Sequence, residues 1–311
     1  MSPRVDLAVA IPQTFPDRPI ETRAIREYLT RAEALGFHSA WVVDNVLGGI
    51  PSLSPIELLT WAAAVTERMR LGAAVLLTAL RGPVHLAKSL ATLDQLSRGR
   101  LDIGVGLGGN TGVYPAFGIS AERRVARFTE GLRLMMRLWT EPRVSFTGDF
   151  WKVENAAMEP KPLQKPHPPI WFGAHHPDAL RRTALMGQGF MGAGSLSTAK
   201  FADEVKRLQE FLHDAGRDPA TFPVGKRVYI AIDGDRQRAA KRLAEWFGAF
   251  YGRPQMAEDV SVWGPPAECV ERLREVMSAG ARLLLLNPVY DEAEHLEQFA
   301  SLIAPALRGG R

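Results

Sequence analysis

One cysteine, Cys269, is all the thiol chemistry available in 311 residues. It can form neither an internal disulfide nor a thiolate metal site, and nothing pairs it with a base, so it reads as a core thiol. The seven histidines show no ligand spacing: His38, His85, His167, His213 and His295 are scattered, and the adjacent His175 and His176 on one turn rarely aim the same way. No metal is therefore expected. No run of about 18 apolar residues exists, so no membrane span is expected, and the opening MSPRVDLAVAIPQ is too short in apolar residues for a signal peptide. A cytoplasmic location is the expectation. Charge of one sign is also lacking, with 38 Lys and Arg against 34 Asp and Glu for a net charge of +4. Without a basic tract or a nucleic-acid motif, nucleic acid is not an expected partner.

What is present is a rhythm. Short apolar runs at 5–11, 39–43, 71–77, 101–105, 170–173, 189–192, 227–232 and 283–287 read as strands. Amphipathic helical patterns fall between them, near 22–35, 55–68, 83–97, 120–139, 177–187, 198–215, 235–251 and 266–279. Eight alternations of strand and helix predict an α/β fold, a (β/α)8 TIM barrel, over a single domain spanning 1–311. Two segments break the pattern: 109–118, and 143–160, which shows a hairpin signal at Thr147-Gly148-Asp149 followed by a proline-rich connector to Pro169. Insertions are thus expected after strand four and before strand five.

The most informative stretch runs from Leu86 to Asn110. Leu86, Leu90, Leu93 and Leu96 recur at helical spacing, and Ser97-Arg98-Gly99-Arg100 ends that helix with a glycine and cations at its negative end. The following strand carries Gly104, Gly106, Gly108 and Gly109. Glycine weakens a strand, so this density predicts that something approaches the backbone closely, a flat ring or a phosphate. The string also satisfies G-x-G-x-x-G, but the last glycine opens no helix; Asn110-Thr-Gly-Val-Tyr-Pro115 follows instead. A nicotinamide fingerprint is rejected on that context.

In a barrel, chemistry gathers where strands end. Asp44-Asn45 follows strand two, either orienting a ring or hydroxyl or closing an Asx turn with Gly48-Gly49. Ala73-Ala74-Val75 on strand three reads as tight layer packing or as backbone deformed under a cofactor. His175-His176-Pro177 opens a helix suited to a phosphate. Gly192-Ala193-Gly194-Ser195 after strand six offers amides able to cradle an anion. Trp61, Trp139, Trp171, Trp246 and Trp263 read as packing residues rather than stacking platforms. The loops 44–53, 109–118 and 143–168, rich in proline and aromatics with few charges, suggest an apolar or neutral substrate.

The block LATLDQLSRGRLDIGVGLGGN resembles the signature of the bacterial luciferase-like monooxygenases, which include oxidoreductases using coenzyme F420, a deazaflavin, or FMN. EALGFHSAWVVDN, RLGAAVLLTALRGPVHLAKS, KPLQKPHPPIWFGAHH and the final AGARLLLLNPV are similar to family landmarks as well. The resemblance implies a TIM barrel, a homodimer, and a small organic substrate meeting F420, with FMN as the alternative cofactor. It implies a non-prolyl cis peptide at Ala74-Val75 supporting the deazaflavin. Gly106, Gly108 and Asn110 would stand beside the ring. Gly173, Ala174 and His175 would lie at the phosphate, and Gly192, Ala193, Gly194 and Ser195 on the next loop. The family's frequent Asp-His pair is Asp44-Asn45 here, and Gly109 stands where the sugar-phosphate dehydrogenase branch carries glutamate. The pair Asp44 and Asn45 is the expected catalytic position, while the proton donor or acceptor stays open among Asp44, Tyr114 and His175. The expected function is hydride transfer between F420 and an organic substrate. An FMN-dependent monooxygenase and a cofactor-binding barrel without turnover are the alternatives.

Overall fold

The structure, a computed structural model, describes residues 5–16 and 18–309. Its strands are β1 (Asp6–Ala10), β2 (Ser39–Val42), β3 (Arg70–Ala73), β4 (Leu76–Leu77), β5 (Leu101–Gly106) and β6 (Val144–Thr147). They continue with β7 (Lys152–Ala156), β8 (Ile170–Phe172), β9 (Gly189–Gly192), β10 (Val224–Ile232), β11 (Val262–Gly264) and β12 (Leu283–Pro288). β1, β2, β3, β5, β8, β9, β10 and β12 pair in that order, all parallel, and β12 returns to β1. The sheet is a closed (β/α)8 barrel, as the alternation of patterns predicted.

The staves carry near-continuous apolar runs because both faces are covered: helices pack outside and side chains fill the inside. The interior is plugged by Trp41 and Trp171, which meet edge to face with ring centroids 5.6 Å apart. Their bulk explains two glycines, since a Cβ on Gly72 would come within 2.4 Å of the Trp41 ring and one on Gly189 within 2.5 Å of Trp171. Below them Asp102 accepts from Arg70 Nε at 2.7 Å and from Trp171 Nε1 at 3.3 Å, which fixes the floor.

The outer helices include α1 (Thr22–Ala34), α2 (Pro55–Val65), α3 (Pro83–Leu96) and α4 (Arg124–Thr140). After these come α5 (Pro177–Met186), α6 (Thr198–Asp214), α7 (Arg236–Tyr251), α8 (Met256–Val260) and α9 (Pro266–Ser278), with α10 (Glu292–Gln298) and α11 (Ala304–Arg308) closing the chain. In α1 the buried set Ile25, Tyr28, Leu29 and Ala32 follows the helical period. In α3 Leu86, Leu90 and Leu93 are buried, but Leu96 is exposed, because at about 100° per residue it falls outside the arc that faces the barrel. Arg98 and Gly99 both take positive φ. The Arg100 guanidinium turns inward, donating to Ser97 O and to the α2-end carbonyls of Ala63 and Thr66, so one buried cation serves two helix C-termini. Cys269 is fully buried.

Between β5 and β8 the chain forms α4, the antiparallel β6–β7 hairpin around Thr147-Gly148-Asp149, and a connector in which Glu159-Pro160 and Lys165-Pro166 are cis. Residues 109–118 are less irregular than their composition suggests, since Thr111–Phe117 form a 3-10 helix capped by the Asn110 side chain. Sequence patterning missed β11, which pairs only with the end of β10, and the helices beyond residue 290. Strand three, expected as one run to residue 77, is two short strands separated by a cis peptide between Ala74 and Val75.

That interruption explains the glycines of β5. A Cβ on Gly104 would lie 1.7 Å from Ala73 O, and one on Gly106 would lie 2.5 Å from Val75 Cγ2. The expectation that a ring or phosphate needs these glycines is therefore corrected: the neighbouring stave itself occupies the space. Gly104→Ala is expected to lose about 3 kcal/mol or more of folding stability, or to fail to accumulate as soluble protein. Gly109→Ala, with nothing within 4 Å of its added Cβ, should match wild type when the three proteins are compared by urea unfolding.

Candidate active site

A cavity of about 550 Å³ opens at the C-terminal ends of the staves. Asp44, Asn45, Ala74, Val75, Gly106, Gly108, Gly173, Ala174, His175 and the whole run Gly192 to Ser195 line it. The closed barrel brings these positions, spread over about half the chain, onto one wall. Asn110 does not line it; its side-chain oxygen accepts from Gly112 N at 2.9 Å. Tyr114 is buried away from the cavity and donates to Leu107 O at 2.9 Å, bracing the rim loop.

Val75 forms an apolar ridge on the wall, since its methyl groups fill the space that Cβ atoms on Gly106 and Gly173 would take. Opposite in character is the loop after β9. The N–H groups of Ala193, Gly194 and Ser195 have no acceptor among the described residues. Three free amides in succession leave donors available to an anion. Arg182 of α5 also lines the cavity and pairs with no carboxylate among the described residues. The α5 start contributes less than its sequence suggests: Pro177 has no N–H, Asp178 N donates to His176 Nδ1, and Ala179 N and Leu180 N donate to His176 O. The reading of that helix start as the phosphate site is corrected, because its donors are already satisfied.

Residues 7–260 match the family described as luciferase-like monooxygenase. The chain belongs to the luciferase-like monooxygenase family. It is 27% identical to an F420-dependent glucose-6-phosphate dehydrogenase of Intrasporangium calvum, over 92% of this chain and 95% of that one. It is 38% identical to an uncharacterized protein of Mycobacterium tuberculosis, over 71% of this chain and 75% of the other. Among solved structures, an F420-dependent secondary alcohol dehydrogenase in complex with an F420-acetone adduct superposes with a TM-score of 0.84 at 20% identity, covering 98% of this chain and 99% of that one.

Within this luciferase-like barrel Asp44 has a structural task. Its side chain is fully buried, accepts from Leu77 N at 2.9 Å and pairs with Arg81 through both oxygens. The carboxylate thereby anchors β4, the strand just beyond the bulge. Asn45 is half-buried and does not titrate near neutrality. His175 is held differently: Nδ1 lies 2.8 Å from Glu204 Oε1, a carboxylate reaching in from α6. The pairing fixes the orientation of the ring.

Sequence reasoning missed Lys226 and Glu204, since neither sits in a motif and only helix and strand packing brings them together. Lys226 is 2% exposed, and its ammonium tethers the carbonyls of Ala193 and Leu196, the latter at 3.0 Å. One tethered carbonyl lies within the run of free amides and the other just beyond it, so the lysine sets the loop that presents them. Burial pushes the Lys226 ammonium down to about 7, opposed by the Glu204 charge and reinforced by Arg227.

A depressed lysine has a definite linkage sign. Between pH 7 and the ordinary lysine range the unfolded chain binds the proton and the folded chain does not, so stability rises with pH there. Relative to Lys226→Met, wild type is expected to gain up to about 1.4 kcal/mol per pH unit between pH 7 and 9.5 in chemical unfolding. An Asp44→Ala variant is expected to lose about 3 kcal/mol at pH 7, because it strands Arg81 and frees the Leu77 amide.

Proposed function

We infer that the chain is an F420-dependent oxidoreductase that moves hydride between the deazaflavin and a small organic substrate. The observation that carries this is the pairing, on one cavity wall, of the Val75 ridge with the free amides of residues 193–195 and Arg182. An apolar ridge suits a flat heterocycle, and unpaired amides with a guanidinium suit an anionic side arm. The likeness to F420-dependent relatives over nearly the whole chain supports the same choice. When bound, the deazaflavin supplies the hydride chemistry.

The protein's own part is positioning, exclusion of water and management of one proton. Val75 and the backbone at Gly106 and Gly173 would support the ring, while Ala193, Gly194, Ser195 and Arg182 would hold the anionic arm. Neither Asn45 nor Gly109 can exchange a proton near neutrality, and Asp44 is committed to Arg81. Of Asp44, Tyr114 and His175, the groups left open for the proton role, His175 alone lines the cavity free of a permanent cation partner. We therefore assign it the proton role, with Glu204 as its positioning residue. On the same reading the protein works as a cytoplasmic homodimer.

Titration with F420 and with FMN, followed by fluorescence, tests the cofactor. F420 is expected to bind with at least about tenfold preference. Tight FMN binding without F420 binding would establish the monooxygenase alternative. F420 binding with no hydride transfer across an alcohol and aldehyde panel, in wild type and in Asn45→His, would leave a binding barrel. Light scattering that gives a dilution-stable monomer would remove the dimer.

A further inference from the structure

The charges on the cavity wall do not cancel. Asp44 is paired with Arg81, and His175 with Glu204. Two guanidiniums remain, Arg182 and Arg227, and among the described residues neither has a carboxylate within ion-pair distance. Arg182 reaches the cavity from α5 and is already assigned to the cofactor's anionic arm. Arg227 rises from β10 with its stem beside Gly194 of that loop, where an added Cβ would lie 3.4 Å from Arg227 Cγ, and turns its guanidinium toward Asn287 on β12.

Arg227 sits in a built setting. Its Nε donates to Asn287 Oδ1 at 2.7 Å, and its Nη2 donates to the same oxygen. Asn287 Nδ2 donates in turn to Pro288 O at 2.9 Å, which sets the amide so that its oxygen faces the guanidinium. The guanidinium lies over the Tyr229 ring at 4.7 Å, and the Tyr229 hydroxyl is 2.6 Å from that of Tyr251. Arg227 is half-buried, and it borders both this cavity and a smaller one lined by Gln13, Phe250 and Glu292. That glutamate is occupied by Arg18 at 2.6 Å.

All of these partners are neutral. They fix the plane of the guanidinium without neutralising it, and Nη1 keeps no hydrogen-bond partner among the described residues. A partly desolvated, oriented and uncompensated cation is the complement of an oxyanion. Arginine presents its donors as a planar fork, which matches carboxylate and phosphate oxygens.

We propose that Arg227 determines the substrate class, and that the molecule oxidised or reduced in this cavity carries a carboxylate or phosphate group that docks on this guanidinium. The proposal rests on the F420 reading, which commits the Val75 and 193–195 side of the cavity to the cofactor. It replaces the apolar or neutral substrate suggested by loop composition, because the charge comes from a barrel strand and not from the loops.

The test compares wild type, Arg227→Met and Arg227→Lys, each first titrated with F420 and then, saturated with it, titrated calorimetrically with benzoate, phenyl phosphate and benzamide. All three proteins should bind F420 within about twofold of one another. Wild type should bind one of the anions at least about tenfold more tightly than benzamide, and the identity of that anion separates carboxylate from phosphate. Arg227→Met should erase that preference while leaving benzamide unchanged, and Arg227→Lys should keep part of it. The proposal is overturned if benzamide binds wild type as well as both anions do, or if Arg227→Met leaves the preference intact. An F420 affinity that falls tenfold in Arg227→Met also overturns it, by giving Arg227 to the cofactor. Should wild type bind no F420, the cofactor reading fails by itself, and the same three titrations on the free protein still decide Arg227. If Arg227→Met does not fold, Arg227→Lys against wild type carries the comparison, and an unchanged anion preference in it counts against the proposal.

Discussion

The contact between the broken third stave and the glycines of its neighbours sets the geometry on which the rest of the site depends. Ala73 O occupies the position a Cβ on Gly104 would take, and the Val75 methyl groups occupy those of Gly106 and Gly173. The third stave can therefore leave its ladder only where the fourth and fifth carry no side chain on that face. Asp44, reaching across from the end of β2, accepts the Leu77 amide and secures the chain where the stave resumes. Close packing of this kind is unforgiving, because one added methyl group meets backbone atoms that cannot retreat.

A second constraint is electrostatic and acts on the loop after β9. Lys226 is buried to hold two carbonyls of the loop after β9, and Glu204 lies close enough to temper the cost of that burial while it also orients His175. One strand residue and one helix residue thus govern an amide row and an imidazole that meet any molecule entering the cavity. The charged groups of the wall divide into pairs that brace the barrel and single cations left for a ligand. Arg81 with Asp44 belongs to the first kind; Arg182 and Arg227 belong to the second.

Much of the barrel was legible in the chain. The strand at 189–192 is found at its expected bounds, and the hairpin at 147–149 forms as its turn residues required. Those features depend on near neighbours, whose periodicity and turn chemistry are written locally. The single strand expected over 71–77 was divided, because a run of small and branched residues does not say where a ladder is interrupted. β11 escaped notice because three residues bounded by a proline pair and a short helix show no period. Most of the candidate positions meet around one cavity, although Asn110 proved to be a helix cap and Tyr114 a brace. Both are polar residues whose partners lie on the same loop, and sequence cannot distinguish a satisfied polar group from an available one.

The sequence by itself determined the alternation that closes a parallel barrel, the absence of an internal disulfide, and the glycine density at the fourth strand. Each follows from residue type and spacing along one segment. Only the tertiary structure decided what those glycines admit, which amides stay free, and which charges are cancelled. These are properties of distance between staves, such as Arg227 against Asn287 or Gly104 against Ala73, and they exist only once the barrel has closed. The chain wrote a close approach into residues 104–109, and the fold assigned it first to its own third stave.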